Sequence, residues 1–419
     1  MERCLWTAAL GVPAPPLREL PARVDVAIIG GGYTGLAAAL ALARAGAATA
    51  LLERHHLGWG ASGRNGGMVL PGYKAELDAM VRRLGSGAAK QLFEDSIAAI
   101  DFVEALIRSE GIACDWMRSG HITLAATPRH FERLTHAQRT FSILVGHETE
   151  LLGPDQLRGE IGSSRYAGGL LDPRAGRLHP AAYLAGLGDA ARRAGATLAE
   201  QVEVRAVGRV GGRMRLTTSG GLIEAGQVLL ATNGYSSRTV PWVARRIVPV
   251  GSYIIATAVL PTELRGRLNP RGRTFSDTKH LLNYFRLSPD GRLVFGGRAA
   301  FVPWALARSR RQLERELVEV FPGLAGVPIE YAWAGTLGFT RDGMPHAGIR
   351  NGLAYALGYG GHGVAMASWL GHRVGRALAG SEPWPRMAEI PFPAIPCYTG
   401  RPWFLPLAGA YYRLLDRLA

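Results

Sequence analysis

One stretch near the start of the chain limits its fold more than any other. Residues 24–29 (VDVAII) form a short β-branched run, the pattern of a strand buried in a parallel sheet. Gly30-Gly31-Gly32-Tyr33-Thr34-Gly35 follow at once with the spacing G-x-G-x-x-G, and an Ala/Leu-rich segment predicts a helix to about Arg44. Gly46 ends that helix, residues 48–52 (ATALL) predict a second strand, and Glu53 stands at its tip, eighteen residues after Gly35. Gly30 permits the tight turn, Gly32 lets the backbone approach a pyrophosphate, and Gly35 lets the helix pack closely on the strand. The helix N-terminus offers N–H groups and its positive dipole end to phosphates. Glu53 is placed to accept hydrogen bonds from ribose hydroxyls. The expectation is a βαβ dinucleotide site in an α/β fold. Val26–Ala43 is also free of charge for eighteen residues, long enough to suggest a membrane span. Three consecutive glycines, and the bracket of Asp25 and Arg44, favour the buried strand–helix unit instead.

Composition narrows the class further. With 47% apolar residues over 419 positions, the chain can bury a sizeable core and exceeds one compact domain. Its three cysteines (Cys4, Cys114, Cys397) are scattered and form no C-x-x-C pair, which excludes a disulfide scaffold or a cysteine zinc site. No metal is expected. Residues 1–22 carry four prolines and no apolar signal core, so a cytoplasmic protein is expected. The net charge of +15 comes almost wholly from arginine, since only three of the 48 basic residues are lysine. These arginines are dispersed, whereas a phosphate-tracking groove clusters its charge, so no nucleic-acid partner is expected.

The rest of the chain chooses between nicotinamide and flavin dinucleotides. Gly58-Trp59-Gly60-Ala61-Ser62-Gly63-Arg64-Asn65-Gly66-Gly67 is a glycine-rich loop with one fixed cation, able to wrap a pyrophosphate and run under a flat ring system. Val228-Leu229-Leu230-Ala231-Thr232-Asn233-Gly234 reads as a buried strand ending in a small-residue turn. Leu357-Gly358-Tyr359-Gly360-Gly361-His362-Gly363-Val364 is a second glycine-rich turn, opening an apolar helix to about Ala379. Its N-terminus suits a flavin carbonyl oxygen and negative charge on a reduced ring.

These blocks resemble the FAD-dependent D-amino-acid-oxidase superfamily, closest to its glutamylputrescine-oxidoreductase-like branch, whose relatives include monomeric sarcosine oxidase and glycine oxidase. The resemblance spans nearly the whole chain. It runs through IIGGGYTGLAAALALARAG with Glu53, GWGASGRNGG (58–67), DPRAGRLHP (172–180), LLATNGY (229–235) and NYFRLSPDGRLVFGGR (283–298). It continues through WAGTLGFTRDGMPHAG (333–348), LGYGGHGV (357–364) and FLPLAGAYYRLLDRL (404–418). It implies a discontinuous Rossmann-like FAD-binding domain (1–79, 148–238 and 328–380), a mixed-sheet substrate domain (80–147 and 239–327) and a C-terminal arm and helix (381–419). The implied cofactor residues are Gly30, Gly32, Tyr33, Thr34, Gly35, Glu53 and Arg54 in the fingerprint. To them it adds Ala61, Ser62, Gly63, Arg64, Asn65, Gly66 and Gly67 in the first loop. Val204, Thr232, Asn233, Gly335, Gly360, Gly361, His362 and Gly363 complete the set.

Outside the fingerprint, residues 281–287 and 292–296 predict strands joined by the turn Ser288-Pro289-Asp290-Gly291. Residues 308–321 predict a surface helix, the proline-rich 381–406 an extended surface arm, and 408–418 a final helix.

Amine oxidation on a flavin is mostly orientation, desolvation and tuning of the ring, so no acid–base triad is expected and none is visible. His362, between glycines at a helix start, is the leading catalytic candidate by resemblance. Tyr284 and Arg286 alternate on one strand and share a face, which in the family borders the substrate side of the flavin. Their other reading is a solvent-facing hairpin pair. His55 and His56 read as ribose- or surface-facing. Related enzymes attach flavin covalently to a histidine or a cysteine at positions corresponding to Gly60 and Gly335 here, so non-covalent FAD is expected. The lysines that sarcosine oxidases hold near the ring correspond to Val294 and Ala365, leaving Arg64, Arg298 or His362 as substitute cations.

The expected activity is FAD-dependent oxidation of the C–N bond of a primary or secondary amine, an N-acylated polyamine or an amino acid, with oxygen as acceptor and hydrogen peroxide as product. A second reading is a dehydrogenase passing electrons to a quinone or carrier, with membrane contact through the basic surface and the aromatic residues Trp403, Phe404, Tyr411 and Tyr412. Membrane contact is not the expectation. A third is a non-catalytic flavin-binding or nucleic-acid-associated basic module.

Overall fold

The computed structural model describes residues 2–8, 20–236, 240–297 and 306–418. Two eight-stranded mixed sheets organise them. In the first, the fingerprint strand Arg23–Ile29 is central. It pairs in parallel with Thr49–Leu52 on one side and Gly221–Leu230 on the other, matching Ile29 with Leu52 and with Leu230. Leu353–Leu357 and Thr197–Ala199 extend the parallel sheet outward. At their carboxyl ends these strands are buried in unbroken apolar runs, Ala27–Ile28, Ala50–Leu52 and Val228–Leu230, rather than alternating.

Two helices cover one face of this sheet and cross closely. The helix Tyr33–Arg44 packs against the late helix Gly363–Leu378. The approach requires Gly371, where a methyl group would overlap the backbone of Thr34, and Gly375, where it would meet Ala38 O at 2.8 Å. The helix Pro180–Arg193 packs alongside.

The second sheet runs Ile329–Phe339, Val248–Thr257, Leu293–Gly297, Asn283–Leu287, Thr274–Asp277, His121–Leu124, Gly169–Asp172, Glu150–Leu152. The expected hairpin is present: Asn283–Leu287 pairs antiparallel with Leu293–Gly297, and Ser288 N donates to Arg292 O at 2.9 Å. A core of Phe275, Phe285, Phe295 and Phe321 lies on one face under the helix Leu306–Val320. Strands 150–152, 169–172 and 329–339 of this sheet come from segments that the expected bounds grouped with the FAD-binding domain. Their alternating and bulky residues pair with the strands flanking the second core, which chain position alone did not reveal.

The proline-rich segment after Gly380 differs from the expected surface arm. Met387, Ile390 and Tyr398 are buried, and Phe392 stacks on His346 with centroids 4.3 Å apart. The apolar side chains between the prolines dock where an arm would leave them in water. The final helix spans Leu405–Leu418, and Asp416 accepts hydrogen bonds from the backbone N–H groups of His280 and Leu281 (2.8 and 2.9 Å). No described helix is long and apolar enough to cross a membrane.

Candidate functional site

Three cavities run in series from the first sheet to the second. The first opens at the carboxyl ends of the parallel strands. Gly30–Gly32, Glu53, Arg54, His55, Ala61, Ser62, Val204, Thr232 and Asn233 line it. The second is lined by Ala61, Arg64, Asn65, Gly66, Ser252, Tyr284, Gly335, Gly360, Gly361 and His362. The third is larger and takes in Lys74, His121, Arg129, His130, Glu132, Asp277 and Lys279. Ala61 is common to the first and second, while Leu70, Ser276, Leu282 and His362 are common to the second and third.

The fingerprint turn has the geometry its glycines imply. Gly30 has φ +112°, and a methyl there would lie 2.8 Å from Ala231 O. A methyl on Gly32 would lie 2.8 Å from Ser62 Oγ, and one on Gly35 would overlap Gly30 O. Ser62 Oγ accepts from the Tyr33 N–H at 3.2 Å, tying the glycine-rich loop to the helix start. Glu53 accepts from Gly31 N–H (2.8 Å) and His55 N–H (2.9 Å), so its carboxylate shapes the turn as well as facing the cavity. His55 stacks on Trp59 at 4.0 Å. This stacked pair and Tyr235, whose ring stands edge-on to Trp59 at 5.7 Å, wall the cavity. Trp59 and Tyr235 were missed as lining residues, although the aromatic set between glycines in the 58–63 loop was a visible signal.

Several expected cofactor residues serve the site only through backbone or packing. The Tyr33 side chain is buried and donates to Pro180 O at 3.0 Å, and Thr34 Oγ1 bonds the Tyr359 hydroxyl at 2.7 Å. Burial pushes both tyrosine hydroxyls well above the ordinary range. Gly35, Gly63, Gly67 and Gly363 line none of these three cavities and permit close packing. Asn233 lends its side chain to Gly358 N–H (2.9 Å), joining the two strand ends that frame the site. Arg54 is half exposed and lies 3.8 Å from Glu203.

His362 stands where the second and third cavities meet, at the N-cap of the helix Gly363–Leu378. Tyr284 lies over Gly66 and its hydroxyl is 3.0 Å from Ser252 Oγ. Arg286 departs from expectation. It is 1% exposed, lines none of the three cavities, and donates to Gly66 O (2.7 Å) and Leu178 O (2.8 Å). It shares a strand face with Tyr284 but sits deeper, beneath the loop, where burial pushes its pKa down to about 9. It is therefore not a solvent-facing hairpin residue.

No side-chain nucleophile stands at Gly60 or Gly335; a methyl at Gly335 would touch Ala61 Cα at 3.6 Å. Val294 and Ala365 are both buried. Arg64 is held by Glu2 (2.5 Å) and Ala334 O (3.3 Å), and Arg298 lies outside the described residues. The third cavity exposes residues that sequence reasoning missed. His121 bonds Thr274 Oγ1 (2.8 Å) and Ser276 Oγ (2.9 Å), and its burial pushes its pKa down to about 4. Asp277 is fully buried beside Lys279 (3.2 Å), and that burial raises its pKa to about 6. No group of metal-ligating side chains occurs among the described residues.

A backbone cradle, a helix N-terminus and a long cleft of two further compartments fit a dinucleotide with an extended ring system. Comparison with known proteins agrees. Residues 25–377 match the DAO family, described as FAD dependent oxidoreductase. The chain is 33% identical to the gamma-glutamylputrescine oxidoreductase of Escherichia coli, over 94% of this chain and 93% of that protein. It is equally 33% identical to a probable oxidoreductase, OrdL, of Haemophilus influenzae, over 96% and 94%. The crystal structure of glycine oxidase from Geobacillus kaustophilus superposes with a TM-score of 0.75 at 22% identity, covering 90% of this chain and 99% of that one. The chain is a member of the DAO family of FAD-dependent oxidoreductases, enzymes that act on amines and amino acids.

Proposed function

We propose that this enzyme oxidises an amine carrying a polar, charged tail, of the N-acylated polyamine class, and that oxygen reoxidises its flavin. The observation that carries the reading is the continuity of the three cavities, with His362 at the last junction. In this reading the first cavity holds the adenosine end of FAD, the second its ring, and the third the substrate. The corresponding parts of the chain follow the two sheets, the first for the cofactor and the second for the substrate.

Bound FAD supplies a hydride acceptor for the α C–H of a neutral amine, and water then hydrolyses the imine to an aldehyde and a free amine. The chain's own share is placement. Tyr284 and Ser252 wall the ring compartment, and Ser276 and His362 hold the reacting carbon at its border. Charged groups of both signs in the outer cavity, among them Arg129, Glu132 and Lys279, suit a substrate with an amine at one end and an amino-acid-like group at the other. The full-length likeness to a gamma-glutamylputrescine oxidoreductase supports that class.

The cofactor is non-covalent in this reading, because Gly60 and Gly335 bear no nucleophile. Acid or heat denaturation should release intact FAD into the supernatant; flavin retained by the precipitate would end this point. Three unpaired cysteines support a cytoplasmic setting. The decisive experiment is an anaerobic titration of the yellow protein with a panel of amines, read as bleaching of visible absorption, followed by admission of oxygen. Bleaching by gamma-glutamylputrescine ahead of glycine and sarcosine, with peroxide on reoxidation, is the expected result. A dehydrogenase is the second reading, favoured by Val294 and Ala365 in place of lysines; bleached flavin that persists in oxygen but recovers with a quinone would establish it.

A further inference from the structure

Three successive carbonyl groups in the glycine-rich loop are each bonded by a buried side-chain donor from a different part of the chain. Trp333 Nε1 donates to Arg64 O at 2.8 Å, Trp6 Nε1 to Asn65 O at 2.8 Å, and Arg286 Nε to Gly66 O at 2.7 Å. The next carbonyl, of Gly67, accepts from Leu178 N–H at 2.9 Å, and Leu178 O is itself held by Arg286 Nη2. The three donors are essentially inaccessible to solvent, at 0%, 1% and 1% exposure. None lines any of the three cavities, whereas Arg64, Asn65 and Gly66 all line the ring compartment.

The donors also brace one another. The Trp6 and Trp333 rings meet edge to face at 6.2 Å, and the Arg286 guanidinium lies 5.0 Å over the Trp6 ring. Trp6 belongs to a short N-terminal turn, Leu5–Ala8, anchored just before it. Arg3 and Ala332 exchange backbone hydrogen bonds (3.0 and 3.2 Å), and Glu2 accepts from Ala334 N–H (3.1 Å) and Arg64 (2.5 Å). In a trans peptide the carbonyl and the following N–H point in opposite directions, so holding Asn65 O on Trp6 turns the Gly66 N–H away from Trp6. Gly66 is a wall of the ring compartment.

We propose that Trp6, Trp333 and Arg286 are positioning residues forming a clamp that fixes the loop at 64–66 in its flavin-receiving conformation, and that the N-terminal turn is thereby a functional part of the cofactor site. The inference rests on FAD occupying the second cavity. The clamp removes the entropy that a glycine-rich loop would otherwise lose on binding, and it fixes the backbone dipoles beside the ring. It touches FAD nowhere and acts through the loop.

The test is Trp6→Phe in the full-length protein, which keeps an aromatic ring but removes the indole N–H together with part of the indole, alongside Trp333→Phe and the exposed control Trp403→Phe. Each is read for FAD dissociation constant, visible spectrum of the bound flavin, flavin midpoint potential and melting temperature of the apoprotein. Trp6→Phe and Trp333→Phe should each weaken FAD binding at least fivefold or so, the cost of leaving one buried carbonyl unbonded, and should alter band shape and potential. The control should match the parent. If both variants keep the parental affinity, spectrum and potential, with only a lower melting temperature, the residues are merely core and the clamp is refuted. A parent protein that takes up no FAD at all would instead refute the occupancy on which the inference rests.

Discussion

The two ends of the cleft are built by opposite means. The nucleotide end is made of main chain: Gly30–Gly32, the Ser62 turn and strand ends held a few ångströms apart, with Glu53 locking the turn. The end proposed for the substrate is made of side chains, with His121, Arg129, Glu132, Asp277 and Lys279 gathered from helices and strands of the second sheet. A main-chain site tolerates almost no added atom, because its walls cannot move aside. A side-chain site tolerates change in shape and is sensitive to charge. The contrast says which substitutions abolish the enzyme and which retune it.

The largest effect should follow Gly32→Val, which sets branched carbon within 2.8 Å of Ser62 Oγ and fills the approach to the pyrophosphate. FAD content of the purified protein should fall below roughly a tenth of the parent's, since a packed backbone site cannot relax around the new atoms. Undiminished flavin would erase the contrast at its stronger end.

His362→Leu should come next. Its turn opens the helix beside the ring compartment, and groups facing developing charge in a dry site are typically worth about tenfold or more in rate. Stopped-flow measurement should find flavin reduction or reoxidation slowed, with FAD still bound and the melting temperature little changed. Parental rates with a lowered melting temperature would make the imidazole a helix cap alone.

Glu53→Ala should weaken FAD retention about tenfold, the scale of a hydrogen bond to a charged acceptor. Because Glu53 also holds the Gly31 and His55 N–H groups, the apoprotein should lose stability as well. A dialysis titration and a melting curve separate these two losses; a flavin effect with no change in the apoprotein would confine Glu53 to the ribose.

The smallest effect at neutral pH concerns His121, in the other half. Burial lowers its pKa to about 4, below the ordinary value near 6.5, so the unfolded chain takes up a proton that the folded one refuses. Its stabilising contribution is full above pH 6.5 and is lost as pH falls from 6.5 towards 4. His121→Gln should therefore show a shallower fall in melting temperature across that window. An identical acid slope in both proteins would mean that this imidazole charges without cost.

The same contrast explains what the sequence revealed. Glycine spacing reports backbone geometry directly, so Gly30, Gly32, Gly35 and the strand–helix–strand order were readable in one pass. The helices expected over 308–321 and from the second glycine-rich turn to about Ala379 appear as Leu306–Val320 and Gly363–Leu378. Arg286 shows the limit: alternation gives the face of a strand but not the depth at which a side chain ends. His121, Ser276 and Lys279 were silent because side chains meeting across a cavity share no spacing in the chain. The pairing of the strands Glu150–Leu152 and Ile329–Phe339 was likewise not legible in the sequence, since strand partners are chosen by long-range packing.

The central position of Arg23–Ile29 in its sheet has a consequence for how the molecule is made. One edge of that strand is satisfied within thirty residues by Thr49–Leu52, but its other edge waits for Gly221–Leu230, and its covering helix partner for Gly363–Leu378. During synthesis this strand therefore leaves the ribosome well ahead of its partners with an open hydrogen-bonding edge, and its surroundings are completed only when most of the polypeptide has followed. Closing such distant contacts is slow, and an unpaired strand edge is where nascent chains associate wrongly. Chains cut short before the late helix should collect in aggregates although every residue of the nucleotide fingerprint is present.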